Sequence, residues 1–371
     1  MGPAILVDKS TFQSLSKGEV FYLRQYYHVV YCSTLFYETL ADLAKCSDIE
    51  AGKKEVSKIS YKINGMDTCF TTEFRELLTA ELFGYEIEMN GKPILSGGRD
   101  VVVDEGNRGV FFDEPPEYEA LRKWTGGEYS EAEKQLAENW RNSTKNITLD
   151  KAKNQSDSFK KIKNVDELKK FTTEILENPE FQLDLLQLVL SGITFRQDIR
   201  DKVCKRWLDF GMPLIKNYAP YTYYYLLVNL TFHLGVSRNL VSDRLTNIID
   251  LEYVYYLPFC KVFTSSDKFL RNFSQLFLTE GQTFTWGEDL KSDLKAFCDY
   301  WGEKGDDERF RYQQDYENYP PDIPGSLTCS IWQKWARTGR RKQEKLTLER
   351  KKEIMKKLKP IMEQIKKIEK E

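Results

Sequence analysis

An α/β fold built on a parallel sheet, with a helical block and a C-terminal helix attached, is what this 371-residue sequence predicts. Three observations carry it. Two short apolar runs, Ala4-Ile-Leu-Val7 and His28-Val-Val-Tyr-Cys32, flank a segment of helical spacing, and a third run, Val262-Phe-Thr-Ser265, has helical sequence on either side. Apolar runs of this length suit strands buried on both faces, and strands alternating with helices describe βαβ units.

In chain order, Lys9 to Leu15 reads as a Ser/Thr-rich turn and Lys17 to Tyr26 as a helix. After the second run, Ser33 or Thr34 caps a helix whose core candidates are Leu35, Leu40 and Leu43. The pattern then loosens. Val56 to Asn64 fits a strand or an extended loop, Cys69 to Leu82 looks helical, and Gly84 to Val103 is broken by Gly91, Pro93 and Gly97-Gly98. A turn at Asp113-Glu-Pro-Pro-Glu117 opens a helix to Trp124, and Glu128 to Trp140 reads as another. A polar connection, Asn142 to Asp157, precedes helices over Val165 to Ser191, Phe195 to Trp207 and Tyr221 to Leu234. The strand-helix grammar resumes near Leu240, with helical sequence around Asp250 to Leu257, the third run, and a helix over Lys268 to Leu278. An aromatic, acidic stretch, Pro320-Pro321 and a basic helix from about Thr347 complete the chain.

Composition narrows the class. Seven cysteines, widely spaced and without a C-x-x-C pair, make neither a zinc framework nor a disulfide scaffold. Cys32 and Cys260 stand in apolar contexts as small hydrophobes, and His28 and His233 read as structural. With no signal peptide and no apolar run near 18 residues, a cytoplasmic protein without membrane contact is expected. The net charge is only −2, but Lys334 to Glu371 carries 15 Lys/Arg against 6 Asp/Glu. A basic tail on an acidic body suggests a partner, and a solvated charged helix is the plain alternative.

Two acids, Asp8 and Asp267, follow predicted strands, where open α/β sheets place their ligand sites. Glu38 lies in the helix after the second strand, and Asp250 precedes Asp267 by 17 positions. With no Lys or Arg read between them, four such carboxylates persist together only around a divalent cation. Asp42, one turn beyond Glu38, and Asp243 are reserves, and Ser10, Thr264 and Ser266 are hydrogen-bonding candidates. Each acid also has a plain reading: Asp8 and Asp250 as helix caps, Glu38 as a solvent-facing residue, Asp267 as a turn residue.

The segments Ile5-Leu-Val-Asp8-Lys-Ser, Phe36-Tyr-Glu38-Thr-Leu-Ala-Asp42-Leu and Ile249-Asp250 through Ser266-Asp267-Lys resemble, in order, the acidic motifs of the PIN-like nuclease family. The resemblance covers residues 1–50 and 235–280. It implies a three-layer α/β/α sandwich, a Mg²⁺ or Mn²⁺ site held by Asp8, Glu38, Asp250 and Asp267, and hydrolysis of phosphodiesters, in RNA ahead of DNA. Asp250 would open a late helix. The division that follows is a discontinuous core at 1–50 and 235–300, a mainly helical insertion at 51–234, and a linker with the basic helix at 301–371. The alternative is a catalytically silent PIN-like module serving as a protein- or RNA-binding scaffold. Its C-terminal helix, with Leu346, Leu348, Ile354, Leu358, Ile361, Ile365 and Ile368 at largely helical spacing, would bind a protein partner or a second copy. For Trp332 and Trp335, beside Lys334 and Arg337, stacking on single-stranded nucleic acid competes with packing.

Overall fold

The computed structural model describes residues 2–43, 46, 48–63, 69–104, 107–112, 116–133, 135, 162–193, 197–336, 340, 342 and 347–368. In chain order the elements are β1 (Ala4–Val7), α1 (Lys9–Ser14), α2 (Lys17–Tyr26), β2 (His28–Tyr31), α3 (Ser33–Leu43), α4 (Ile49–Ile63), β3 (Cys69–Phe70) and α5 (Phe74–Leu82). A hairpin, β4 (Gly98–Asp104) with β5 (Asn107–Phe112), leads to α6 (Pro116–Thr125). Then come α7 (Val165–Glu177), α8 (Gln182–Gly192), α9 (Gln197–Asp209), α10 (Ile215–Tyr218), α11 (Pro220–Ser237) and α12 (Leu245–Tyr255). The last are β6 (Val262–Ser265), α13 (Lys268–Ser274), β7 (Thr283–Trp286), α14 (Gly287–Tyr316), α15 (Leu327–Trp335) and α16 (Leu348–Ile368).

Five strands form one sheet in the order β3-β2-β1-β6-β7, every neighbouring pair parallel. β1 is central, with Ile5 beside both Val29 and Val262. Its four residues are all buried, and the two-residue period of a strand divides them between the faces. Ile5 and Val7, with Val29 and Tyr31, meet α1 to α4 and the Leu290, Leu294, Phe297 and Trp301 stripe of α14. Ala4 and Leu6, with Val30 and Phe263, meet α5, α11, α12 and α13. Helices therefore cover both faces, which is why the strands read as unbroken apolar runs.

Several expectations are corrected. Val56 to Asn64 is not extended: α4 runs through it to Ile63, because Val56, Ile59 and Ile63 repeat at helical spacing and are all buried. Lys9 to Leu15 is a helix rather than a turn, started by the Asp8 side chain, which accepts from Thr11 N–H. The Val165 to Ser191 helix breaks at Asn178-Pro179, where the Asn178 side chain caps a short 3₁₀ turn. Cys69-Phe70 is a strand and not the start of a helix.

The proposed divisions shift as well. β3 lies inside the 51–234 stretch read as an insertion, yet it is the edge strand of the main sheet, and α4 and α5 pack on that sheet. The 301–371 stretch is not a linker from its start. α14 passes position 301 before it kinks at Gly305, where φ is 73°, and α15 is fastened to the core: Asp293 Oδ1 and Oδ2 accept from Leu327 and Thr328 N–H at 2.8 and 2.9 Å, and Tyr27 Oη donates to Thr328 Oγ1 at 3.0 Å. Trp332 is buried and donates to the Tyr26 carbonyl at 2.7 Å, while Trp335 donates to Thr283 Oγ1. Both indoles pack, as the plainer reading had it. The tyrosine run at 221–225 likewise belongs to the core, with Tyr221 fully buried. The polar connection at 142–157 and most of the Glu128 to Trp140 helix lie outside the described residues, as do the side chains of Ile361, Ile365 and Ile368. No described helix is long and apolar enough to cross a membrane.

Candidate active site at the switch point of the sheet

Strand order reverses at β1. From there the chain runs outward through β2 and β3 on one side and returns through β6 and β7 on the other. The crevice beyond the carboxyl ends of β1 and β6 is therefore the place where an open parallel sheet leaves room for a ligand. Asp8 follows β1 and Asp267 follows β6, so both stand at this crevice.

Asp8 is almost fully enclosed, with 3% of its surface exposed. Its Oδ1 accepts from Thr11 N–H at 2.9 Å, and its Oδ2 accepts from Ser10 Oγ at 2.6 Å and Ser265 Oγ at 2.8 Å. Burial pushes its carboxyl pKa up, and these hydrogen bonds pull against it. Asp267 caps α13, its Oδ1 accepting from Phe269 and Leu270 N–H at 2.7 and 3.0 Å. Ser265 ties the two acids together, donating to Asp8 while its Oγ accepts from Asp267 N–H at 2.9 Å. The plain readings of Asp8 as a cap and Asp267 as a turn residue are thus true, and both residues still stand after strands that border the crevice.

Glu38 extends from α3, half-buried, and takes a 2.5 Å hydrogen bond from Tyr253 Oη. Burial raises its pKa to about 7; the nearby Lys9 ammonium and the Tyr253 hydroxyl oppose the rise, and Asp8 and Asp42 add to it. Asp250 does not open its helix, as the resemblance implied, but sits in the middle of α12. Its pKa is pushed to about 8 by burial first, then by the charges of Glu38, Asp267 and Asp8. No described residue gives it a hydrogen bond or an ion pair. Glu38, Asp267 and Asp8 are therefore all within electrostatic reach of Asp250, which no described residue partners.

One expectation fails here: a cation does lie among the acids. Lys9, the residue after Asp8, is buried; its Nζ donates to the Glu38 carbonyl at 2.9 Å and pairs with the Asp42 carboxylate. Asp42 is thereby the counter-ion of Lys9 rather than a spare ligand. Asp243, the other reserve, is exposed and absent from the charges that move Asp250. Among the hydroxyl candidates, Ser10 holds Asp8 as expected. Ser266 Oγ instead meets Thr11 Oγ1 at 3.4 Å, and the buried Thr264 Oγ1 has no partner among the described residues.

Sequence reasoning missed Lys9, Ser265 and Tyr253. The last had a signal: Tyr253 stands three residues after Asp250, on the same face of the helix. Among the described residues no three His, Cys, Asp or Glu side chains are arranged so that they could hold a metal ion as they stand. Asp8, Glu38 and Asp267 each accept hydrogen bonds from the chain's own donors. The histidine reading holds for His233, whose pKa burial lowers. Compared with known protein families, with curated proteins and with solved structures, the chain finds no match.

Proposed function

We propose that the protein is a divalent-metal-dependent nuclease of PIN-like type, acting on RNA ahead of DNA. One observation carries this reading: the unpartnered carboxylate of Asp250, pushed to about 8 beside Glu38, Asp267 and Asp8 at the switch point of a parallel sheet. A cluster of hard oxygen donors that repel one another suits Mg²⁺ or Mn²⁺. Asp8, Glu38, Asp250 and Asp267 would hold the ion, which when bound acidifies a ligating water and offsets charge on the leaving oxygen. The chain's own contribution is to position three of those carboxylates. Ser10, Thr11 and Ser265 hold Asp8, Tyr253 holds Glu38, and the first turn of α13 holds Asp267. The test is cleavage of labelled single-stranded RNA and DNA in Mn²⁺ by wild type, Asp8→Asn and Asp267→Asn. Both variants are expected to be inert, and equal activity in all three sinks the catalytic reading.

The buried Lys9 ammonium favours a second reading, the catalytically silent module, because an internal cation already offsets part of the acidic charge. Calorimetric titration with Mn²⁺ separates the two. Heat that Asp250→Asn removes supports the nuclease, whereas no heat and no cleavage support a scaffold that acts through its basic C-terminal helix.

A further inference from the structure

Beside the acids a pocket of about 340 Å³ opens, and Asp267 forms part of its wall. That volume is at the small end for ligand sites, which run to roughly 300–1,000 Å³. Its lining is mixed. Phe269 contributes a half-buried ring, Asn247 and Asn272 contribute amides, and Arg244 and Lys268 contribute exposed cations. Neither cation forms an ion pair with a described residue. Asn247 is buried and fixed, its Nδ2 donating to the Ser242 carbonyl at 3.0 Å, while its Oδ1 accepts from no described residue. An aromatic face, amides and two cations together match the parts of a nucleotide: base, hydrogen-bonding edge and phosphate. Outside the basic tail the chain is acidic, so a phosphate backbone approaching the four carboxylates needs local cations, and these two line the pocket.

We infer that this pocket receives one unpaired nucleotide next to the acid cluster, its base against Phe269 and the asparagines and its phosphate between Arg244 and Lys268, so that the substrate is single-stranded. The inference rests on the nucleic-acid reading of the acids and specifies its substrate class. A paired base must leave its stack and its partner to enter the pocket, at a cost of about a few kcal/mol, so a single strand binds ahead of a duplex.

Two variants of the full chain test it. Ser242→Trp places an indole from an exposed position into the pocket while keeping the backbone carbonyl that holds Asn247. Arg244→Ala with Lys268→Ala removes the two cations. Binding is followed by fluorescence anisotropy in EDTA, where chemistry is off, with labelled twelve-residue oligouridylate and oligoadenylate, a duplex of equal length, and uridine monophosphate as competitor. Ser242→Trp is expected to weaken single-strand binding about tenfold. The double variant is expected to lower the slope of log affinity against log salt by about 0.7, for the one phosphate left without its cations. Unchanged thermal midpoints establish that both variants are folded. Equal single-strand binding by wild type and Ser242→Trp overturns the inference, as does a duplex bound as tightly as a single strand, or a competitor that binds while no strand does. The outcomes stay separable from the nuclease reading. Cleavage lost in Asp8→Asn with binding untouched by Ser242→Trp overturns the pocket alone. Binding blocked by Ser242→Trp in a protein that never cleaves supports the pocket and overturns the nuclease. Binding of no nucleic acid overturns both.

Discussion

Replacing Asp250 by Asn should make the protein more stable, and increasingly so as pH rises from about 4 to about 8. A carboxyl whose pKa is raised on folding holds its proton longer in the native state than in the unfolded chain. Between the unfolded value, 3.8, and the folded value, about 8, the native state therefore binds more protons, and stability falls as pH climbs through that window. The rise is roughly four units, and at about 1.36 kcal/mol per unit it caps the effect at about 6 kcal/mol. Asp250 is only half-buried, so water screens its neighbours and about 2 kcal/mol is the expected gain at pH 8.5. For a chain of this length that is a thermal midpoint about 2–3 °C above wild type, shrinking to nothing near pH 4. The assay is tryptophan-emission melting of metal-free wild type and Asp250→Asn across that range. Adding Mn²⁺ at about a hundred times its dissociation constant should stabilise wild type by about 2.7 kcal/mol and the variant by less. Parallel midpoint curves for the two proteins, with no divergence toward high pH, would refute the electrostatic coupling of the four acids.

Three further outcomes follow from the packing. Lys9→Met removes the ammonium that opposes the rise of Glu38, so Glu38 should titrate above about 7, and the pH at which Mn²⁺ affinity is half-maximal should move upward in calorimetric titrations. Glu81 is a buried residue of α5 whose carboxylate caps the start of α11, accepting from Tyr221 N–H, Thr222 N–H and Thr222 Oγ1 at 2.7–2.8 Å. Glu81→Ala should cost about 3 kcal/mol and lower the melting midpoint by about 4 °C, with Glu81→Gln losing about half as much. At Gly287 an added Cβ would stand 2.1 Å from Ser266 Oγ and 2.5 Å from Thr11 Oγ1, so Gly287→Ala should destabilise by about 1–3 kcal/mol and lower cleavage by shifting the turns that carry Asp8 and Asp267.

The sheet was legible where strands are buried on both faces. Val262–Ser265 falls where its apolar run predicted it, and β1 and β2 do so within a residue. β7 went unread because Thr283-Phe-Thr-Trp286 is an edge strand, half-buried, whose alternation is too short to stand out from the aromatic stretch around it. β3 is two residues long and carries no period at all. At the site, Asp8 and Asp267 were found by strand-end logic, which is local. Glu38 and Asp250 leaned more on the resemblance, and Asp250's mid-helix position departs from the pattern it implied. Lys9 was misread because a lysine following a strand looks solvated. Only the fold of α3 across α1 brings the Asp42 carboxylate and the Glu38 carbonyl to its ammonium.

The central strand and its β6 neighbour lie far apart in sequence, and Asp267 follows Asp8 by 259 positions. A ribosome adding about 5–20 residues per second produces Asp267 about 13–50 s after Asp8. Throughout that interval β1 has no β6 beside it and Asp8 has no Ser265 to hold it, so the acids are not assembled on the nascent chain. On the nuclease reading proposed above, a chain arranged in this order would leave its own message uncut until the ribosome has passed the codon for Asp267.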